Sequence, residues 1–128
     1  MKMLGIDYGK KKIGLAVSDG MISEPFRVIR YDSFEKLIKS LKHIVDIQGV
    51  QQVVVGISEG IMGKESKEFG EKLEKELKTP VAFQDETLST HSAQELSIDA
   101  NIKRKKRREM EDAYSAAIIL QSYIDGKL

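Results

Sequence analysis

At 128 residues, 41% of them hydrophobic and 32% charged, the chain has the length of one domain around one core and the solvation of a folded globule rather than a disordered segment. The absence of cysteine excludes a disulfide framework and a thiolate metal site, and no apolar run nears the roughly 20 residues that cross a bilayer, "AAIIL" being stopped at Gln121. The net charge of +1 hides an asymmetry: Lys103, Arg104, Lys105, Lys106, Arg107 and Arg108 are consecutive, and without those six the chain keeps 15 basic residues against 20 acidic, net −5.

In chain order, "KMLGID" and "KIGLAVSD" read as short apolar strands, and "PFRVIRY" as a third in which Phe26, Val28, Ile29 and Tyr31 alternate with arginines. The links between them are short, which predicts antiparallel neighbours. A helix follows: Asp32 and Glu35 stand at capping-box spacing, Phe34, Leu37, Ile38, Leu41, Ile44 and Val45 share one face, and Gly49 ends it. "VQQVVVGI" is nearly continuous in apolar residues, the pattern of a central strand covered on both sides. Phe69, Leu73 and Leu77 recur every four residues over 65–78, a narrow-striped helix stopped by Thr79 and Pro80. "VAFQD" is the fifth strand, "LSTHSAQELSI" a helix, the basic run a loop, and "EMEDAYSAAIILQSYI" a C-terminal helix with an Ala-rich face. The order predicts an α/β fold, a mixed five-stranded sheet with helices on both faces, in one domain spanning 1–128.

In such a sheet, functional groups gather at strand ends. Asp7 ends the first strand, Asp85 and Glu86 the fifth, and Asp112 lies in the first turn of the last helix. Singly, such acids also serve as turn or helix-start residues. Together they would repel unless a cation joined them, and oxygen ligands alone favour a hard ion such as Mg²⁺ or Mn²⁺. Lys10, Lys11 and Lys12, just past Asp7, read either as a solvated turn or as phosphate contacts, and the same two readings hold for the 103–108 run. Gly9 is expected to supply the turn, and Gly56, Gly60 and Gly63 a loop that either approaches the backbone closely or simply stays mobile. His91 is either a proton-transfer group or a surface histidine.

The stretches "LGIDYGKKKIGLAVSD", "VVVGI" with the following glycines, "DETLST" and "DAYSAAIILQSYI" stand in an order and spacing that resemble the YqgF (RuvX) family, described as Holliday junction resolvase-like and as nucleases of precursor small-subunit ribosomal RNA, within the RNase H-like superfamily. The resemblance covers nearly the whole chain. It implies an RNase H-like fold and a divalent-metal site, Mg²⁺ or Mn²⁺, whose acids fall on Asp7, on Glu86 with Asp85 beside it, and on Asp112. It also implies metal-assisted phosphodiester hydrolysis, with Lys10, Lys11 and Lys12 meeting phosphates near the bond cut. The chain departs from the family pattern at Lys10 and Lys12 (usually Thr and Arg), at Thr87 (usually Arg), and at Ser58, Glu59 and Met62.

Three functions fit: a nuclease processing the 16S rRNA precursor, a resolvase of four-way DNA, and a non-catalytic RNA-binding ribosome-assembly factor. A sugar-kinase or actin-like ATPase shares the look of "DYGKKKIGLAV" but needs two domains around its nucleotide. The lack of a spare apolar stripe predicts a monomer or weak homodimer, which favours RNA over a junction that must be cut at two fixed sites. A cytoplasmic location without membrane contact is expected, since no apolar leader opens the chain.

Overall fold

The computed structural model describes residues 1–57, 61–85 and 109–126. Five strands, β1 (Met3–Asp7), β2 (Lys12–Ser18), β3 (Ser23–Arg30), β4 (Gln52–Ile57) and β5 (Val81–Asp85), form one mixed sheet in the order β3-β2-β1-β4-β5. β1, β2 and β3 pair antiparallel, as their short links require, whereas β4 joins β1, and β5 joins β4, in parallel. The crossover helices are α1 (Phe34–Gln48) and α2 (Ile61–Leu77), and α3 (Glu111–Gly126) closes the described chain. The helix expected over 88–98, the basic run 103–108, Glu86, Thr87 and His91 lie outside the described residues.

Strand alternation divides the core between the two sides of the sheet. Leu4, Ile6, Ile13, Leu15, Val53 and Val55 meet Leu37 and Leu41 of α1 and Phe69 and Leu73 of α2 on one side. Ala16 and Val54 meet Ala116, Ala117, Leu120 and Ile124 of α3 on the other. Val53, Val54 and Val55 are all fully buried, so β4 is covered on both faces, as its apolar run predicts.

Three element starts differ from the sequence reading. Ser33, not Asp32, caps α1: its extended backbone turns Oγ to accept from the Lys36 amide at 3.3 Å, while Asp32 pairs with the Lys36 ammonium at 3.2 Å. α2 begins at Ile61, four residues before the apolar stripe announces it, because its first turn carries no acid to mark a start. Gly63 is therefore helical and Gly56 lies within β4, so neither belongs to the expected loop. Gly49, with φ 66°, ends α1 as expected. β3 begins at Ser23, earlier than the alternation suggests, because the Ser23 amide donates to Gln121 Oε1 at 2.9 Å and its hydroxyl donates to the Ala117 carbonyl of α3.

The α3 side is lined by small residues, which lets the helix sit close to the strands. A Cβ on Gly14 would stand 1.9 Å from the Asp112 carbonyl oxygen, and one on Gly5 would stand 2.8 Å from Leu120 Cβ and 2.9 Å from the Ala116 carbonyl. Gly14→Ala must push the start of α3 off the sheet. It is expected to lower stability by about 1–3 kcal/mol, read as a lower urea midpoint, and an unchanged midpoint would show that this seam is loose.

Candidate active site

The end of β1 and the start of α3 meet at Gly14. Asp7 pairs with Gly14 in the β1–β2 register, and the missing side chain of Gly14 is what admits the Asp112 backbone. Alternation turns Leu4 and Ile6 into the α1–α2 core and Gly5 and Asp7 toward α3. Asp7 and Asp112 therefore share the α3 side of the sheet at one strand end. The N-terminus of α3 favours the carboxylates of Glu111 and Asp112 in its first turn, by about 0.3–1 kcal/mol each.

Lys12 lies two residues from Gly14 on β2 and faces the same way. Its ammonium stands 3.1 Å from Asp112 Oδ2, with both side chains partly exposed. Lys10 reaches instead to Glu65 of α2 at 3.7 Å, across open solvent, a contact worth well under 1 kcal/mol. Lys11 is exposed.

The loop that carries these lysines is tied down by a residue the sequence reading treats only as a strand position. The Tyr31 amide donates to the Lys11 carbonyl at 3.0 Å, and the Tyr31 hydroxyl donates to the Gly9 carbonyl. Tyr8 stacks on Phe69 with ring centroids 4.4 Å apart, fixing the loop's other end to α2. Gly9 is required here by closeness: a Cβ would meet the Lys12 carbonyl at 2.5 Å.

Of the acids singled out in the sequence, Asp7 and Asp112 are brought together. Asp85 ends β5, where it pairs with Ile57, and β4 separates it from β1 by two strand spacings, about 10 Å. Alternation puts Asp85 on the side of Val81 and Phe83, which pack toward α1 and α2, the side opposite Asp7 and Asp112. Among the described residues no group of three or more acids or histidines stands together, and Glu86 is outside them. Asp7 and Asp112 supply hard oxygen donors, and one of them already holds an ammonium ion, chemistry that fits a hard divalent cation. Gly5, Gly14 and Tyr31, which set this geometry, were missed. The signal for the glycines was their smallness opposite the Ala-rich face of the last helix.

A family model described as RuvX, Holliday junction resolvase, matches residues 1–126. Two relatives provisionally named pre-16S rRNA nuclease are close in sequence. One, from Geobacillus kaustophilus (strain HTA426), is 39% identical over 99% of both chains; the other, from Caldanaerobacter subterraneus subsp. tengcongensis, is 40% identical over 99% of this chain and 98% of its own. Solved structures share the fold at low identity. RuvC of T. thermophilus in complex with a Holliday junction substrate superposes with TM-score 0.66 at 12% identity, covering 99% of this chain and 96% of its own. The fowlpox virus Holliday junction resolvase superposes with TM-score 0.65 at 14% identity over the full length of both chains.

Tyr31 offers a test of the loop anchor. Burial, and then the neighbouring Tyr8 hydroxyl, push its phenol pKa well up, so the folded protein keeps this proton where the unfolded chain, near pH 10, loses it. That contribution is whole below about pH 10 and fades as pH climbs toward the folded value. Tyr31→Phe should cost about 1–2 kcal/mol at neutral pH and flatten the loss of stability above pH 10, both read by urea titration across pH. A variant that matches the wild type at both ends of the pH range would remove the anchor.

Proposed function

The chain belongs to the RuvX family, and from that premise we propose that it is a metal-dependent nuclease that hydrolyses phosphodiesters, working on the precursor of 16S ribosomal RNA. The observation that carries the reading is that Asp7 of β1 and Asp112 of α3 lie on one side of the sheet at one strand end, beside Lys12. Acids from separate elements joined at one point, with cations beside them, suit the cleavage of a phosphodiester.

Asp7, Asp112 and, by the family resemblance, Glu86 would hold Mg²⁺ or Mn²⁺. Such an ion, when bound, polarises a phosphoryl oxygen and makes a bound water a nucleophile near neutral pH. The chain's own residues do the rest. Lys12 balances Asp112 in the free protein and is close enough to turn to a phosphate. Lys10 and Lys11 add positive charge at the same loop, and the 103–108 run serves as a phosphate-contacting arm. Asp85, on the other side of β5, is left out of the metal set.

RNA is favoured over four-way DNA on symmetry. Cutting a junction in concert needs a firm two-fold dimer. Among the described residues the exposed large apolar side chains are Met1, Met21 and Ile22 near the β2–β3 turn and Ile47 on α1, fewer than the face of a firm dimer needs. A monomer or weak dimer follows. Because no helix among the described residues is long and apolar enough to cross a membrane, nothing there competes with a role in the cytoplasm.

The test is a cleavage assay on a 16S-precursor RNA and on a four-way DNA junction, with Mn²⁺ or Mg²⁺ against EDTA. The RNA should be cut, the cutting lost in EDTA, and Asp7→Asn reduced by roughly a hundredfold or more, since each 1.36 kcal/mol at the transition state is a factor of ten. Full activity in EDTA would remove the metal, and paired nicks in the junction without RNA cleavage would make the protein a resolvase.

A further inference from the structure

We infer that Arg30, with Lys11 on the adjoining β1–β2 loop, binds the nucleic-acid backbone on the β3 side of the Asp7–Asp112 site, so that the substrate strand crosses β2 and β3 as it leaves the bond to be cut. The inference rests on the nuclease reading above and names a substrate contact that reading lacks.

Lys12 and Arg30 are direct partners across the β2–β3 ladder, so their side chains leave the same face, the one that carries Gly14 and meets Asp112. Like charges directly opposite each other destabilise a sheet. Lys12 is compensated by Asp112 at 3.1 Å, but Arg30 is exposed and holds no ion pair among the described residues. Of the basic residues near it, the Arg27 guanidinium lies over the Phe26 ring at 5.0 Å and Lys36 pairs with Asp32 at 3.2 Å. Lys11, whose carbonyl accepts from the Tyr31 amide, is held against the end of β3 and is likewise without an ion pair among the described residues. Neither cation makes an ion pair that would reward folding among the described residues. A passing phosphate chain supplies one, and a guanidinium can grip one phosphate through two hydrogen bonds where an ammonium makes a point contact. Arg30 stands two strands over from Asp7 and two residues along, about 12 Å away, which is roughly three to four phosphate steps of a helical strand at about 3.4 Å of axis each.

The experiment compares wild type, Arg30→Gln and Arg30→Lys. Binding of a fluorescein-labelled RNA hairpin with a single-stranded flank is followed by anisotropy in EDTA over a salt series, and cleavage of the same RNA is followed in Mn²⁺. Arg30→Gln should weaken binding roughly tenfold, the loss of one charge-assisted contact, and lower the log-log salt slope by about 0.7–0.9. KM should rise by the same factor, with kcat and the Mn²⁺ titration unchanged. Arg30→Lys should keep the slope and recover part of the affinity. An Arg30→Gln protein with wild-type slope and KM overturns the contact while leaving the nuclease reading intact. If the wild type binds the RNA but does not cut it, the nuclease reading fails and the slope still decides Arg30. Wild-type binding without salt dependence overturns the contact.

Discussion

The arrangement of this molecule depends on two side chains that are absent. Gly5 on β1 and Gly14 on β2 leave no room for a Cβ beneath α3, and the helix backbone fills the space instead. Larger residues at these positions would hold α3 away from the strands and would carry Asp112 away from Asp7. The Ala-rich face of the helix completes the fit, since Ala116 and Ala117 let the helix settle against the sheet over a second core built with few large side chains. Gln121 then ties the helix to the β2–β3 turn, accepting from the Ser23 amide and donating to the Met21 carbonyl.

The opposite face is built by another rule. There Leu, Ile, Val and Phe interdigitate under α1 and α2 in an ordinary apolar core, and each fully buried large side chain contributes about 1.5–3 kcal/mol. The division matters to the site, because close packing on the α3 side leaves polar groups at the strand end where a deep apolar layer would have buried them. Asp7, Lys12 and Asp112 stay partly exposed and can meet a charged partner without a heavy desolvation cost. Outside the 103–108 run the chain is net negative, so the cations on the β1–β2 loop and at Arg30 are local features and not part of a generally basic surface.

Much of this could be read from the sequence, for physical reasons. The antiparallel pairing of the first three strands followed from link length, since two short connections force antiparallel neighbours and helix-length crossovers allow parallel ones. Val53 to Val55 announced a central strand by being apolar without alternation. Asp7 and Asp112 stood out because a charge stood where an apolar element ended or began. What escaped was set by contacts between distant residues. The use of Gly14 is visible only when α3 is laid over it. Tyr31 reads as one more strand residue until its hydroxyl is seen on Gly9. Ser33 outcompetes Asp32 as the cap through a one-residue difference in where the chain enters α1. Asp85 was grouped with the other acids because it ends a strand, but the parity of β5 turns it to the other side.

The central claim is that the small-residue seam under α3 makes Asp7 and Asp112 two donors to one cation. Diffraction from crystals grown with Mn²⁺, measured near the manganese absorption edge, tests it most directly. An anomalous peak about 2.0–2.2 Å from carboxylate oxygens of both Asp7 and Asp112 is expected. A peak that touches only one of them, or a cation bound among other acids with this pair bare, would contradict it.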